Sequence, residues 1–187
     1  MPYKVINPPV DEPLTLGEAK EHLREPASLS AHDTQIEALI KAAREYAEEY
    51  TRRAFITQTI EMRLDDFADE IELPKPPLQS VISIEYFDAD GVLQTLATSV
   101  YSVDTTSTPG RVTLNDGESW PGTKDTTNAV IITFTAGYGV NGTDVPETIR
   151  QALRLYLSKH FDLDRNDGEY LDKALHCMLK LKKVWSL

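Results

Sequence analysis

Ile36, Leu39, Ile40, Ala43, Ala47 and Tyr50 recur at three- and four-residue intervals, the period of a helix that buries one stripe against a core. Glu37, Lys41, Arg44, Glu45 and Glu48 fall on the opposite face and are expected in water, and Asp33 is placed to cap the start. From Ile56 the period changes to two. Ile56, Gln58, Ile60, Met62 and Leu64 share one side and Thr57, Thr59, Glu61 and Arg63 the other, which predicts a half-buried strand.

Further strands are expected at 71–73, 80–87, 92–96, 100–103, 111–114 and 129–135. Pro74, Pro76 and Pro77 are confined to edges or turns because they donate nothing to a ladder. Asp90-Gly91 makes a turn, and 105–110 is a loop rich in Thr, Ser, Pro and Gly. An antiparallel meander or small sandwich is the expected product.

Helical spacing flanks this β section on both sides. Thr15 and Glu18 have the spacing of a capping box, which starts a short helix that ends before Pro26. After Gly142, Ile149, Ala152, Leu153, Tyr156, Leu157 and Phe161 form one face, with Pro146 at an early position and Asp144 a candidate cap. A polar loop, 162–168, leads to a last helix on Tyr170, Leu171, Ala174, Leu175, Met178 and Leu179. The pattern predicts an α+β fold in which N- and C-terminal helices pack together around an inserted antiparallel β module. Its segments are an extended, proline-rich arm at 1–13 that lies on a neighbour or frays, helices at 14–55, the β module at 56–140, helices at 144–179 and a tail at 180–187.

At 187 residues this reads as one domain 1–187, long enough to bury about 70% of its unfolded surface. The one cysteine, Cys177, makes no internal disulfide, and no secretory leader is visible, so a reducing cytoplasm is the expected site of synthesis. Asn141-Gly142-Thr143 is therefore expected to stay unglycosylated. Apolar runs such as 129–132 fall far short of the roughly 20 residues that span a bilayer, so no membrane role is expected.

Nineteen basic against thirty acidic side chains give a net charge of −11, which repels a phosphate backbone and argues against a dedicated nucleic-acid groove. Residues 171–187 depart from this, with Lys173, Lys180, Lys182 and Lys183 against Asp172, which leaves −14 on the remainder. Lysines at a helix C-terminus complement its dipole. They also make, with Leu179, Leu181, Val184, Trp185 and Leu187, a basic and apolar peg suited to an acidic partner. The docking candidates are Leu179, Lys180, Lys182, Lys183, Val184 and Trp185.

Catalytic and cofactor chemistry finds little support. Gly137, Gly139 and Gly142 spell GxGxxG after a strand, but a dinucleotide fold needs a second parallel strand with an acidic end, and 163–187 reads as loop and helix. A turn that uses glycine for positive φ is the better account. Gly117 to Lys124 fails as a phosphate loop, because Thr123 separates Gly122 from Lys124. Asp162, Asp164, Asn166 and Asp167 fail as a calcium loop, with Asp167 in the sixth position and Lys173 in the twelfth. His22, His32, His160 and His176 lack zinc spacing, and Cys177 has only the adjacent His176. No catalytic residue, metal ligand or cofactor site is expected.

One ordered set of segments carries a resemblance. Pro13-Leu14-Thr15-Leu16 opens into Glu18-Ala19-Lys20 and His22-Leu23-Arg24, and the joint 42–59 passes from helix to strand. Leu73-Pro74 precedes Pro76-Pro77-Leu78 and Ser80-Val81; Tyr86-Phe87-Asp88-Ala89-Asp90-Gly91 turns; Phe134-Thr135-Ala136-Gly137-Tyr138-Gly139 leads to Val145-Pro146-Glu147 and Ile149. Over about residues 8–162 this resembles the head-tail connector proteins of long-tailed bacteriophages, also called adaptor or head-completion proteins. The resemblance implies a structural virion protein at the head-tail interface. Copies would form a ring of twelve under the portal protein, with double-stranded DNA passing through the lumen unbound and a tail-proximal neck or stopper protein beyond. The chain departs from the pattern after Asp162, so the docking set rests on charge and anchors alone. Two alternatives are a neck or tail-completion protein one layer further down, and a small cytoplasmic enzyme with an anion site at 137–142.

Overall fold

The structure, a computed structural model, describes residues 3–161 and 168–185. The chain forms two compact units, one of residues 1–8 and 57–137, the other of 9–56 and 138–187. The first is the β module and the second is built from helices of both chain ends.

Two antiparallel sheets make up the β unit. The larger has the order β1-β2-β8-β4-β5, from strands Tyr3–Asn7, Gln58–Leu64, Val130–Ala136, Leu78–Phe87 and Leu93–Thr95. The smaller is β3-β7-β6, from Glu70–Leu73, Gly110–Leu114 and Tyr101–Asp104. These strand orders rule out a meander. β2 and β8 pair without a break from Gln58 opposite Ala136 to Leu64 opposite Val130. The period of two in β2 does the work expected of it, because Gln58, Ile60 and Met62 are buried while Thr59 and Glu61 are half-exposed. Ile71, Leu73, Ile84, Val112, Ile132 and Phe134 complete a core in which each is almost wholly buried.

The proline-rich arm is corrected here. Its first part does not fray but forms β1, with Tyr3 opposite Met62 and Val5 opposite Ile60. Gly110 is needed for space, since a Cβ there would sit 2.5 Å from the Cβ of Leu78.

The helical unit holds α1 (Leu16–Leu23), α2 (Asp33–Thr51), α3 (Glu147–Phe161) and α4 (Gly168–Lys180). Thr15 and Glu18 form the capping box, and α1 ends on Arg24 in the left-handed region. Ile36, Ile40, Ala43, Ala47, Ile149, Leu153, Leu157, Leu175 and Leu179 pack into one core with Phe55 and Ile56. Tyr170, placed on the inner stripe by its spacing, is 74% exposed.

Two capping assignments change. Asp33 is the first helical residue of α2, whose N-cap His32 makes no side-chain cap bond; the Asp33 carboxylate instead accepts from Lys20 Nζ at 2.7 Å. Asp144 does not cap α3. It closes a single 3-10 turn, Gly142–Asp144, through bonds to Asn141.

Candidate functional site

Three places are candidates on their polar chemistry. The first is the glycine loop after β8. Of its three glycines Gly137 alone has a positive φ, +134°. Gly139 is there for space, because an added Cβ would run into the Asp144 carboxylate, and Gly142 because one would sit 2.5 Å from the carbonyl oxygen of Glu12. The Asp144 Oδ2 atom accepts from the Asn141 backbone N–H at 3.0 Å. An internal carboxylate thus takes the Asn141 amide that an anion bound to this loop would use.

The second is a pair of buried arginines that grip the segment entering α1. Arg44 donates through Nε to Glu12 at 2.7 Å, through Nη2 to the other Glu12 oxygen at 3.1 Å, and through Nη1 to Glu48 at 3.1 Å. Arg150 donates to the Pro13 carbonyl at 3.0 Å, to Glu147 at 2.9 Å and to Glu18. Arg44 and Glu48 are 6% and 7% exposed, so the solvent face expected for α2 is corrected at these two positions. Burial works against the Arg44 charge, but Glu12 and Glu48 outweigh it and hold the guanidinium above its ordinary range. The i,i+4 spacing of Arg44 and Glu48 was visible in the sequence; the third partner, Glu12, comes from 32 residues away and left no local sign.

The third is the segment after α4. Leu179 is fully buried in the helical core and drops out of the docking set on that ground. Lys180 is exposed and Lys182, Lys183 and Val184 are half-buried. The Val184 N–H donates to the Thr51 carbonyl at 2.9 Å, and Arg53 Nε donates to the Lys182 carbonyl at 2.6 Å. Lys183 Nζ lies 4.9 Å from the ring centres of both Tyr50 and Trp185. The tail is therefore folded back on the end of α2, leaving Leu181 and Trp185 outward at 75% and 67% exposure. Thr51 and Arg53, which help hold it there, left no sign in the sequence, and Tyr50 was expected only on the buried stripe of α2. Leu187 and the aspartates of 162–167 lie outside the described residues.

Neighbouring aromatics tie α4 to α2. Tyr46 and His176 are hydrogen-bonded at 2.8 Å, and His176 also meets the Asp172 carbonyl at 2.8 Å. Among the described residues no group of His, Cys, Asp and Glu could hold a metal ion, and no helix is long and apolar enough to cross a membrane.

The sequence itself supplies the decisive comparison. Residues 13–104, beginning at the clamped Pro13, match the family model described as phage gp6-like head-tail connector protein. Over these residues, just under half of the chain, the sequence is similar to the head-tail connector family. That likeness is to a structural, connector-type protein of phages. No curated protein is significantly similar in sequence.

Solved structures extend the likeness in fold to the whole chain. A chain in the neck of an empty GTA particle computed with C6 symmetry superposes with a TM-score of 0.80 at 21% identity, covering 100% of this chain and 97% of that one. A chain of the native gene transfer agent virion gives 0.81 at 21% identity, and one in the native GTA neck computed with C12 symmetry gives 0.77 at 20%, each with the same coverage. The fold continues through α4, beyond the stretch that carries the connector pattern in sequence.

Proposed function

We propose that copies of this chain close into a ring of twelve beneath the portal vertex of a filled capsid. The ring extends the DNA channel and offers its far side to a tail-proximal neck or stopper protein. The family match over residues 13–104 carries this reading. The fold shared with neck chains of particles treated with sixfold and twelvefold symmetry supports it.

Heterologous contacts, one patch on each subunit meeting a different patch on the next, build such a ring when the rotation closes. The net charge of −11 suits a channel that DNA slides through, since acidic walls repel the duplex. For portal docking the reading keeps Lys180, Lys182, Lys183, Val184 and Trp185 and adds the exposed Leu181. The lysines favour an acidic portal surface, and Trp185 and Leu181 supply apolar anchors.

Light-scattering mass of the purified chain, alone and with portal, is the test. A twelvefold mass on portal is the expected result, and a chain that stays monomeric beside portal would overturn the reading. A neck or tail-completion position one layer further down is the competing assignment. Density for the chain in an intact particle separates the two.

A further inference from the structure

The larger sheet ends in two open edges of different character. At one, all five residues of β1 are exposed. Tyr3 and Val5 stand opposite Met62 and Ile60, which are wholly buried, so they point to the core side of the sheet. They nevertheless remain 40% and 43% exposed. At the other edge, Val92 and Leu93 are 55% and 48% exposed. The smaller sheet manages its edges differently: β3 buries Ile71 and Leu73 and turns Glu70 and Glu72 outward, and β6 buries Tyr101. Outward charges blunt an edge, whereas open strands with exposed apolar side chains invite pairing.

Charge identifies the partner. Lys4, with a side chain 62% exposed, and Lys75, whose Nζ lies 6.0 Å from the Tyr3 ring, flank β1; Lys4 pairs with Glu61 on the neighbouring strand. The β4–β5 hairpin carries Glu85, Asp88 and Asp90, with Lys124 as the basic side chain beside Gly91. A basic edge and an acidic edge, at opposite ends of one sheet, are a heterologous pair on the same molecule. We propose that β1 of one copy lies along β5 of the next, so that the sheets of successive subunits join edge to edge around the ring. Main-chain hydrogen bonds would supply the pairing, and Tyr3, Val5, Val92 and Leu93 the apolar cover. The inference rests on the ring reading above.

The test replaces Tyr3 with the photo-cross-linker p-benzoylphenylalanine in the full chain and measures mass before irradiation, alone and on portal. Isotopically light and heavy copies are mixed so that links between subunits are identified by mass spectrometry. A ring mass with links from position 3 to residues 92–95 of another copy is expected. A ring mass with links elsewhere, or none, overturns edge pairing and leaves the ring standing; no mass above monomer in either condition overturns both. Val5→Asp and Leu93→Asp should each raise the concentration for half-assembly by about tenfold or more with the melting temperature held. A ring indifferent to both substitutions would also overturn the pairing.

Discussion

The Glu48 carboxylate accepts the backbone N–H of Phe55 at 2.7 Å, seven residues on, across the turn where α2 gives way to β2. Its second oxygen accepts from Arg44 at 3.1 Å. One buried side chain thus takes the Phe55 amide and shares the Arg44 guanidinium with Glu12. Glu48→Ala should cost about 3 kcal/mol, because it strands both donors away from water. Glu48→Gln retains an acceptor and should cost about half as much. Urea unfolding of the two variants measures this, and a loss under about 0.5 kcal/mol for alanine would contradict it.

Acid should loosen the helical unit through Glu18 and Glu147. Burial raises the Glu18 pKa, but the Thr15 amide and hydroxyl and the Arg150 guanidinium outweigh it and hold the carboxyl below its ordinary range. Arg154 does most to lower Glu147. A carboxyl whose folded pKa is depressed stabilises above its unfolded value and loses that contribution as pH falls through the folded one. Unfolding free energy should therefore be flat near neutrality and decline from about pH 4.5 downward. Each partly exposed group contributes under about 1 kcal/mol. Glu18→Gln should be less stable at pH 7 and lose less on acidification, as pH-resolved thermal melts would register.

Three alanine substitutions should rank by what surrounds each glycine. Gly117 has φ +82° in open space, so Gly117→Ala costs only backbone strain, about 1 kcal/mol. Gly139→Ala must displace the Asp144 carboxylate from Asn141. Gly142→Ala meets the carbonyls of Glu12 and Pro13, which the arginine clamp holds, and should cost most, about 2–3 kcal/mol. Calorimetric melting temperatures falling in a different order would show that the clamp yields.

Nucleotides should leave the melting temperature unmoved. A ligand present at 100 times its Kd adds about 2.7 kcal/mol, well within detection, and the Asp144 carboxylate already occupies the loop. A stabilisation that saturates with millimolar ATP or NAD would reinstate the anion site.

Removing residues 181–187 should destabilise the helical unit by about 1–2 kcal/mol, since it deletes the acceptor of Arg53 and the donor to Thr51. Trp185→Ala, at an exposed position, should hardly alter stability. The point substitution therefore separates portal attachment from folding, and the truncation does not. Denaturant midpoints beside portal pull-down of both variants give the comparison.

Periodicity made most of the elements legible. Each expected strand from Ile71 onward lies within two residues of an observed one, because alternation reports burial directly. The capping box could be read because both of its halves lie within four residues. What escaped was whatever depends on distant partners: the burial of Arg44 and Glu48, the capture of Asp33 by Lys20, and the pairing of Tyr3–Asn7 with β2. A charged residue on a helix looks solvated until its counter-charge arrives from another segment. The tail's charge and apolar residues were visible, yet only the fold distinguishes Leu179, spent on the core, from Trp185, left outside.

The N-terminal strand has a consequence for synthesis. β1 leaves the ribosome before its hydrogen-bonding partner β2, which begins at Gln58, and β2 in turn waits for β8 from Val130 onward. Tyr3–Asn7 must therefore wait for strands more than fifty residues later, and its edge of the sheet is completed only after the central strands have met.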